Sequence, residues 1–461
     1  MKSLLILFVT AVLLLFAGLF KKRDLIQAIR IGGVVLALAA AVWDLNFGSS
    51  FNDLYATMFQ FDTYALSFSV AALTATLLLF GLSGWGFREL RDTLGDHYAL
   101  MLFSLCGALC MFSFTNMVML FLGIEILSIP LYVLAGSRRD DLNSNEAAMK
   151  YFLMGAFATG ILLFGIALVY GSTASFDLAQ IQSVIAARSH SPQMLHVGIL
   201  LIIIGLSFKV SAVPFHFWAP DVYTGSPTVV TTFMATVVKT AGFAAFYRLF
   251  STAFVGASEF WTTAVAMVAA LTMIVANTTA LFQTNFKRMM AYSSVSHAGY
   301  LLMAVLVAGQ AGAGGSILYY LLVYSIASVC AFGCFMLVAE QNQNESFSAF
   351  QGLSKKQPLL AAAMAIAILS LAGIPPTAGF FGKYFLFSVA FEKYPWLVLI
   401  AILNSAVSIY YYFKVIIAMY FSDDGEANTI LVPQGFRWTL VVGLLLIALL
   451  TIMPWRIYSL I

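Results

Sequence analysis

Charge is what this chain has least of. Only 9% of its 461 residues are Asp, Glu, Lys or Arg, 62% are hydrophobic, and the mean hydropathy is +0.94. That composition cannot cover a soluble domain of this length with polar groups, so the chain is read as an all-α polytopic membrane protein. Cysteine is nearly absent as well. Cys106, Cys110, Cys330 and Cys334 make two C-x3-C pairs inside apolar runs. That is not the C-x2-C arrangement of metal or iron–sulfur sites, and the thiols read as small packing residues. There is no G-x-G-x-x-G fingerprint, no Walker loop and no basic patch for nucleic acid. Any redox or nucleotide chemistry coupled to this protein belongs to another chain. Connections between the apolar runs are mostly short, which leaves no room for a soluble domain.

With about 20 residues needed per crossing, the apolar runs give about fourteen spans. They lie near 3–20, 27–46, 62–83, 97–114, 116–136, 148–171, 196–219, 228–250, 258–282, 289–309, 314–339, 359–392, 396–421 and 437–459. The first is followed directly by Lys21, Lys22 and Arg23 without a small-residue cleavage site, so it reads as a retained span, not a signal peptide. The polar connection 172–196 has room for a short surface helix. Fourteen cations fall in or beside the odd-numbered connections, among them Arg88, Arg91, Arg138, Arg139, Lys287, Arg288, Lys355 and Lys356. Only Lys2, Arg188, Arg248, Lys393 and Arg456 fall in the even connections and the ends. The asymmetry predicts cytoplasmic odd connections and both termini outside. No organellar transit segment is visible, which fits a bacterial cytoplasmic membrane and equally an organelle-encoded copy.

Two spans look broken. The seventh runs through GLSFKVSAVPFHFWAPDVYTGSPT (205–228), with Lys209, Pro214, His216, Pro220 and Asp221 inside an apolar segment. The twelfth reads SLAGIPPTAGFFGKYFLF, with Gly373, Pro375, Pro376, Gly379 and Gly382 before Lys383. Proline removes a backbone donor and clashes with the preceding turn, so each run predicts an interrupted helix. The breaks are five spans apart, so the two segments cross in opposite directions. That predicts two inverted five-helix repeats, each with a broken helix. The expected division is 1–96 (spans 1–3), 97–250 (first repeat, spans 4–8), 251–421 (second repeat, spans 9–13) and 422–461 (the last span).

A charge at mid-membrane costs about 2.5–3.5 kcal/mol on insertion scales, so each one needs a partner, water or a purpose. Glu125 lies midway along span five, too far from either end to snorkel, and Lys209 is its natural partner. Burial penalises the charged form of an amine and a nearby carboxylate favours it, so the pair reads as a switch. Lys239 is central in span eight and reads as a proton relay. Lys383 follows the second break, where unwound carbonyls can solvate it; capping the interrupted helix is its structural alternative. Lys414 is within snorkelling reach of the cytoplasmic end. Glu146 and Lys150 are one turn apart, as an interface ion pair would be. His216 in the first break and His297 in span ten are secondary candidates for proton transfer through water, or satisfied core histidines. Span ten is also rich in hydroxyls, with Tyr292, Ser293, Ser294, Ser296 and Tyr300. Isolated lysines spread over several spans suit a chain of proton sites better than one solute pocket.

These stretches resemble a known family. GIEILSIPLYVLAG (123–136), EAAMKYFLMGAFATGILLFGIALVYGSTAS (146–175), KVSAVPFHFWAPDVYTGSPT (209–228), NFKRMMAYSSVSHAGYLL (285–302) and LAGIPPTAGFFGKYFLF (371–387) are similar to the antiporter-like membrane subunits of proton-pumping NADH–quinone oxidoreductase, respiratory complex I. Within them, WAPDVYTGSPT points to the subunit N branch. The resemblance covers nearly the whole chain. It implies fourteen helices with two inverted repeats and a proton path through Glu125, Lys209, Lys239 and Lys383. It implies no cofactor in this chain, with NADH, FMN, iron–sulfur clusters and quinone held by partner subunits. It also implies neighbours such as the antiporter-like subunit M and small membrane subunits such as K, within membrane lipid. A free-standing or multi-subunit cation/proton antiporter and a membrane-bound hydrogenase or related dehydrogenase module are alternatives separable by the polypeptides and cofactors that co-purify, and a purely structural membrane subunit is one that full coupled activity of a charge-neutral Lys209 and Glu125 double variant would favour.

Overall fold

The structure is a computed structural model that describes all residues except 49–54, 85–92, 188–192, 343 and 423–430. Arg88, Arg91 and Arg188 of the charge pattern lie outside the described residues. A chain this apolar has to satisfy its backbone polar groups internally, and helices do so within each segment. Among the described residues there is no extended strand, and twelve helical segments are long and apolar enough to cross a membrane.

The chain opens with α1 (Lys2–Leu19), α2 (Arg23–Phe47) and α3 (Thr63–Leu82). Then follow α4 (Leu94–Ser113), α5 (Met117–Ala135) and α6 (Leu142–Thr173). The polar connection after α6 does hold a short helix, α7 (Leu178–Ala186). The seventh crossing is split into α8 (Gln193–Lys209) and α9 (Trp218–Gly225). The eighth is α10 (Thr228–Phe233), a π turn (Met234–Val238) and α11 (Lys239–Thr252). Next come α12 (Ser258–Leu281), α13 (Phe286–Leu306), α14 (Ala313–Asn342) and the short α15 (Leu353–Lys356). The second split crossing is α16 (Pro358–Ala372) and α17 (Ala378–Phe391), followed by α18 (Pro395–Phe421), α19 (Gln434–Ile452) and a final turn, α20 (Pro454–Tyr458).

Short acidic and amide side chains set several helix starts. Asp62, Asn116, Asp141, Asp177 and Asn285 accept the first free N–H groups of α3, α5, α6, α7 and α13 at 2.8–3.0 Å. Two of these caps sit in matching devices. Just after Asn116, Met117 N–H donates to Phe176 O at 2.9 Å; just after Asn285, Phe286 N–H donates to Glu345 O at 2.9 Å. Each pins the start of one helix to the residues beyond the next, through the isolated bridges Asn116–Asp177 and Asn285–Ser346.

The centre of the bundle is the crossing Thr228–Thr252 with α13 and α14, all almost wholly buried. Outer helices turn large apolar side chains outward, such as Phe8, Phe16, Leu36, Phe157, Leu399 and Leu445. That face suits lipid or neighbouring apolar helices. Close packing rests on small residues. A Cβ on Gly107 of α4 would lie 2.3 Å from the Leu127 backbone nitrogen of α5. Backbone cannot swing away as a side chain can. Gly107→Ala is therefore expected to push α4 and α5 apart at a cost of about 1–3 kcal/mol. The readout is a lower thermal midpoint of the detergent-solubilised protein; an unchanged midpoint would show that the two helices separate freely.

Candidate functional site

Five ionisable groups, Glu125, Lys209, Lys239, His297 and Lys383, follow one another as neighbours in a line through the bundle. At one end Glu125 stands on α5, at the margin of an outward apolar stripe containing Leu122, Ile126 and Ile129. Its Oε1 is buried without a hydrogen-bond partner. Lys209 closes α8 and is 7% exposed. Its ammonium donates to Ser128 Oγ at 2.6 Å, and Ser128 in turn donates to Ile124 O. The expected partner, Glu125, is not in ion-pair contact. Ser128, one turn further along α5, takes the ammonium instead, and Glu125 acts on it through space. A cavity of about 10 Å³ lies here, lined by Ser128, Tyr132, Thr159 and Lys209. It has room for about one water.

The stem of Lys209 passes Gly242 of α11, one turn beyond Lys239. Lys239 is 2% exposed and directly follows the π turn. Its ammonium donates to Ser294 O of α13 and lies 5.7 Å from the centre of the Tyr324 ring. A carbonyl and a ring face are a sparse shell for a cation in a dry interior.

His297 lies further along α13, 3% exposed and within electrostatic reach of both Lys239 and Lys383. Its Nδ1 pairs with the Tyr320 hydroxyl and its Nε2 with the Tyr412 hydroxyl at 3.0 Å.

Lys383 ends the line, 5% exposed. It donates to Ala372 O at 2.6 Å and Ser405 Oγ at 2.7 Å, with the Tyr300 ring centre 5.3 Å away. The break makes this possible. α16 stops at Gly373, whose φ of +78° favours glycine, and a Cβ there would lie 2.7 Å from the lysine's own Cδ. Lys383 thus caps the interrupted helix and remains inside the bundle. A cavity of about 430 Å³ opens beside it between α17 and α18. Among the described residues, no carboxylate lies within 4.0 Å of Lys209, Lys239 or Lys383.

The remaining sequence candidates separate from this line. Pro214 and Pro375 lie in the segments between α8 and α9 and between α16 and α17. His216, in the first break, packs against Phe217 and faces Tyr292 at 6.5 Å, with Nδ1 unpartnered. Lys414 donates to Leu281 O at 2.5 Å, at the C-terminus of α12, where a cation is favoured.

Sequence reasoning gave no role to Asp221. It binds Lys150 of α6 at 2.6 Å and Arg288 of α13 at 3.1 Å, while Glu146 also reaches Lys150 at 2.6 Å. Asp221 therefore ties α9, the far half of the first broken crossing, to two other helices. The only sequence signal was an acid directly after Pro220. The tyrosines facing His297 were missed as well, because 20 tyrosines are scattered through the chain and nothing local marks Tyr320 or Tyr412. Asp221 is partly exposed, so Asp221→Asn is expected to cost roughly 1 kcal/mol. A double-mutant cycle with Arg288→Gln, read by thermal unfolding at low and high salt, checks it. Strict additivity at low salt would remove the ion pair from the account.

A bundle of apolar helices, two of them broken, threaded by lysines without contacting carboxylates, defines an antiporter-like ion-translocating membrane subunit. Residues 114–408 match the family described as NADH:quinone oxidoreductase/Mrp antiporter, TM. The chain is 46% identical over 396 residues to the NADH-quinone oxidoreductase subunit N of Cytophaga hutchinsonii, covering 86% of this chain and 85% of that protein. It is 40% identical to the subunit N of Flavobacterium psychrophilum, over 98% of both chains. A chain in the structure of respiratory complex I from Thermus thermophilus with bound aureothin superposes with a TM-score of 0.80 at 34% identity, covering 99% of this chain and 98% of that one. The chain belongs to this family, and within it to the NADH-quinone oxidoreductase subunit N proteins.

Proposed function

We propose that this chain moves protons across the membrane as an antiporter-like subunit of an NADH–quinone oxidoreductase. Electron transfer from NADH to quinone in other subunits drives the movement. The single observation that carries the reading is the line Glu125–Lys209–Lys239–His297–Lys383, whose three ammonium groups have no contacting carboxylate. A lysine held by one or two neutral acceptors exchanges a proton more readily than one locked in a salt bridge.

Protons enter from the cytoplasmic side through water, reach Lys239, move towards Lys383 on the other broken helix and leave to the outside. The charge state of Glu125 and Lys209 gates the step and passes the signal to neighbours. The gate works through Ser128, because the ammonium is hydrogen-bonded there and senses the carboxylate at a distance. His216 serves a secondary path. Electron carriers, namely FMN, iron–sulfur clusters and quinone, reside in partner subunits. The neighbours are a subunit M type protein and small subunits of the K type, in a bacterial inner membrane with both termini outside.

The division into 1–96, two inverted repeats at 97–250 and 251–421, and 422–461 is part of the same reading. It is supported by the two split crossings and by the matching bridges after Asn116 and Asn285. Lys239→Ala in the intact complex tests the relay. Proton uptake into inside-out vesicles should fall at least about tenfold, while NADH oxidation by ferricyanide stays normal. Full pumping at parental NADH–quinone turnover would sink the relay.

A further inference from the structure

Between Lys239 and Lys383 the line passes through one imidazole, and both of its nitrogens face tyrosine hydroxyls. Tyr412 comes from α18 to Nε2 and Tyr320 from α14 to Nδ1. The rings of Tyr300 and Tyr324 hold the imidazole from other sides, with centroids 5.8 and 4.8 Å away. We propose that Tyr412 and Tyr320 are proton-conducting residues that make His297 a two-sided relay, taking a proton at one nitrogen and releasing one from the other. This deepens, and rests on, the relay reading above.

Both ends of the triad lead somewhere. The Tyr412 hydroxyl also contacts Ser293 Oγ, next to Ser294, whose carbonyl holds Lys239. On the other side, His297 and Tyr320 line a cavity of about 10 Å³ together with Ser370 and Gly379. That space holds about one water. Gly379 is one turn before Lys383 on α17, and Ser370 lies in the last turn of α16, whose Ala372 carbonyl accepts from Lys383. The tyrosines therefore link the surroundings of one lysine to those of the next.

The chemistry balances without a charged intermediate being retained. A hydroxyl both donates and accepts, and a neutral imidazole has one N–H and one free nitrogen. With the hydrogen on Nδ1, Tyr412 donates to Nε2 and Nδ1–H donates to Tyr320. A proton arriving at Tyr412 from the Ser293 side lets Tyr412 pass its own hydrogen to Nε2. Nδ1 then gives its hydrogen to Tyr320, and Tyr320 gives its hydrogen to the cavity. One proton enters and one leaves. Every hydrogen bond in the triad then points the opposite way. The triad conducts in the same direction again only after the hydroxyls and the imidazole have turned back, so it passes one proton per reset.

The test uses the intact complex in inside-out vesicles, with NADH-driven proton uptake and quinone reduction followed in H2O and D2O. Tyr412→Phe and Tyr320→Phe keep the rings and remove the hydroxyls. Each is expected to lower coupled turnover about tenfold and to raise its solvent isotope effect, with ferricyanide reduction by NADH unchanged. Tyr319→Phe is the packing control, because its buried hydroxyl donates to Leu450 O at 3.0 Å and does not touch His297; it is expected to pump normally. The proposal is overturned if either triad variant pumps at the parental rate with the parental isotope effect while Lys239→Ala does not. It is equally overturned if Tyr319→Phe loses as much as Tyr412→Phe. If Lys239→Ala itself pumps normally, the underlying relay reading falls with it.

Discussion

An ammonium group inside a bilayer must take its hydrogen bonds from the protein around it, and much of this chain is arranged to supply them. In a regular helix each mid-depth carbonyl already accepts from the N–H four residues on, so an ammonium there must share an oxygen through its second lone pair. The second broken crossing releases one, and Lys383 turns back to claim it at Ala372 O. Lys209 depends on a serine of the neighbouring helix. Lys239 takes the Ser294 carbonyl and the face of Tyr324. All of these acceptors are neutral. Such shells keep a lysine in the membrane without fixing its charge, which a direct salt bridge would do.

α5 and α13 start with matching caps and bridges and carry different chemistry. Counted from the caps Asn116 and Asn285, Glu125 and Ser294 hold the same position, as do Ser128 and His297. α5 offers a carboxylate and a hydroxyl to Lys209. α13 offers a carbonyl to Lys239 and places an imidazole towards Lys383. A carboxylate can bias a neighbouring ammonium through space. An imidazole can accept on one side and donate on the other. The first arrangement suits a gate and the second a conductor.

The ion pairs at the polar ends have a mechanical part. Asp221 holds α9 to α6 and α13, while Lys287 joins the first turn of α13 to Glu345 at 2.8 Å and to the carbonyls of Thr224 and Ser226. The far half of the first broken crossing is therefore anchored to the helix that carries Ser294 and His297. Arg248 does the same elsewhere, bonding Asp62 at 2.5 Å and Phe112 O at 2.6 Å to link α11 with α3 and α4.

Much of the plan is legible in the sequence because a bilayer limits what a chain can do. Apolar length marks crossings, proline and glycine mark breaks, and a lone charge in an apolar run stands out whatever its surroundings. Glu125, Lys209, Lys239 and Lys383 are found that way, as is the short helix of the connection after α6. What each charge touches is another matter. Lys209 and Ser128, His297 and Tyr412, and Lys239 and Ser294 lie on different helices far apart in the chain, and only packing selects among many serines and tyrosines. Glu125 is the plainest case. Sequence identifies the acid and the lysine it serves, but the helical turn between Glu125 and Ser128 decides that the ammonium meets a hydroxyl and only senses the carboxylate. Composition, breaks and buried charge follow from the sequence because each is a local cost in lipid; the order in which the groups connect is decided by tertiary structure, because a proton path is a set of contacts between helices.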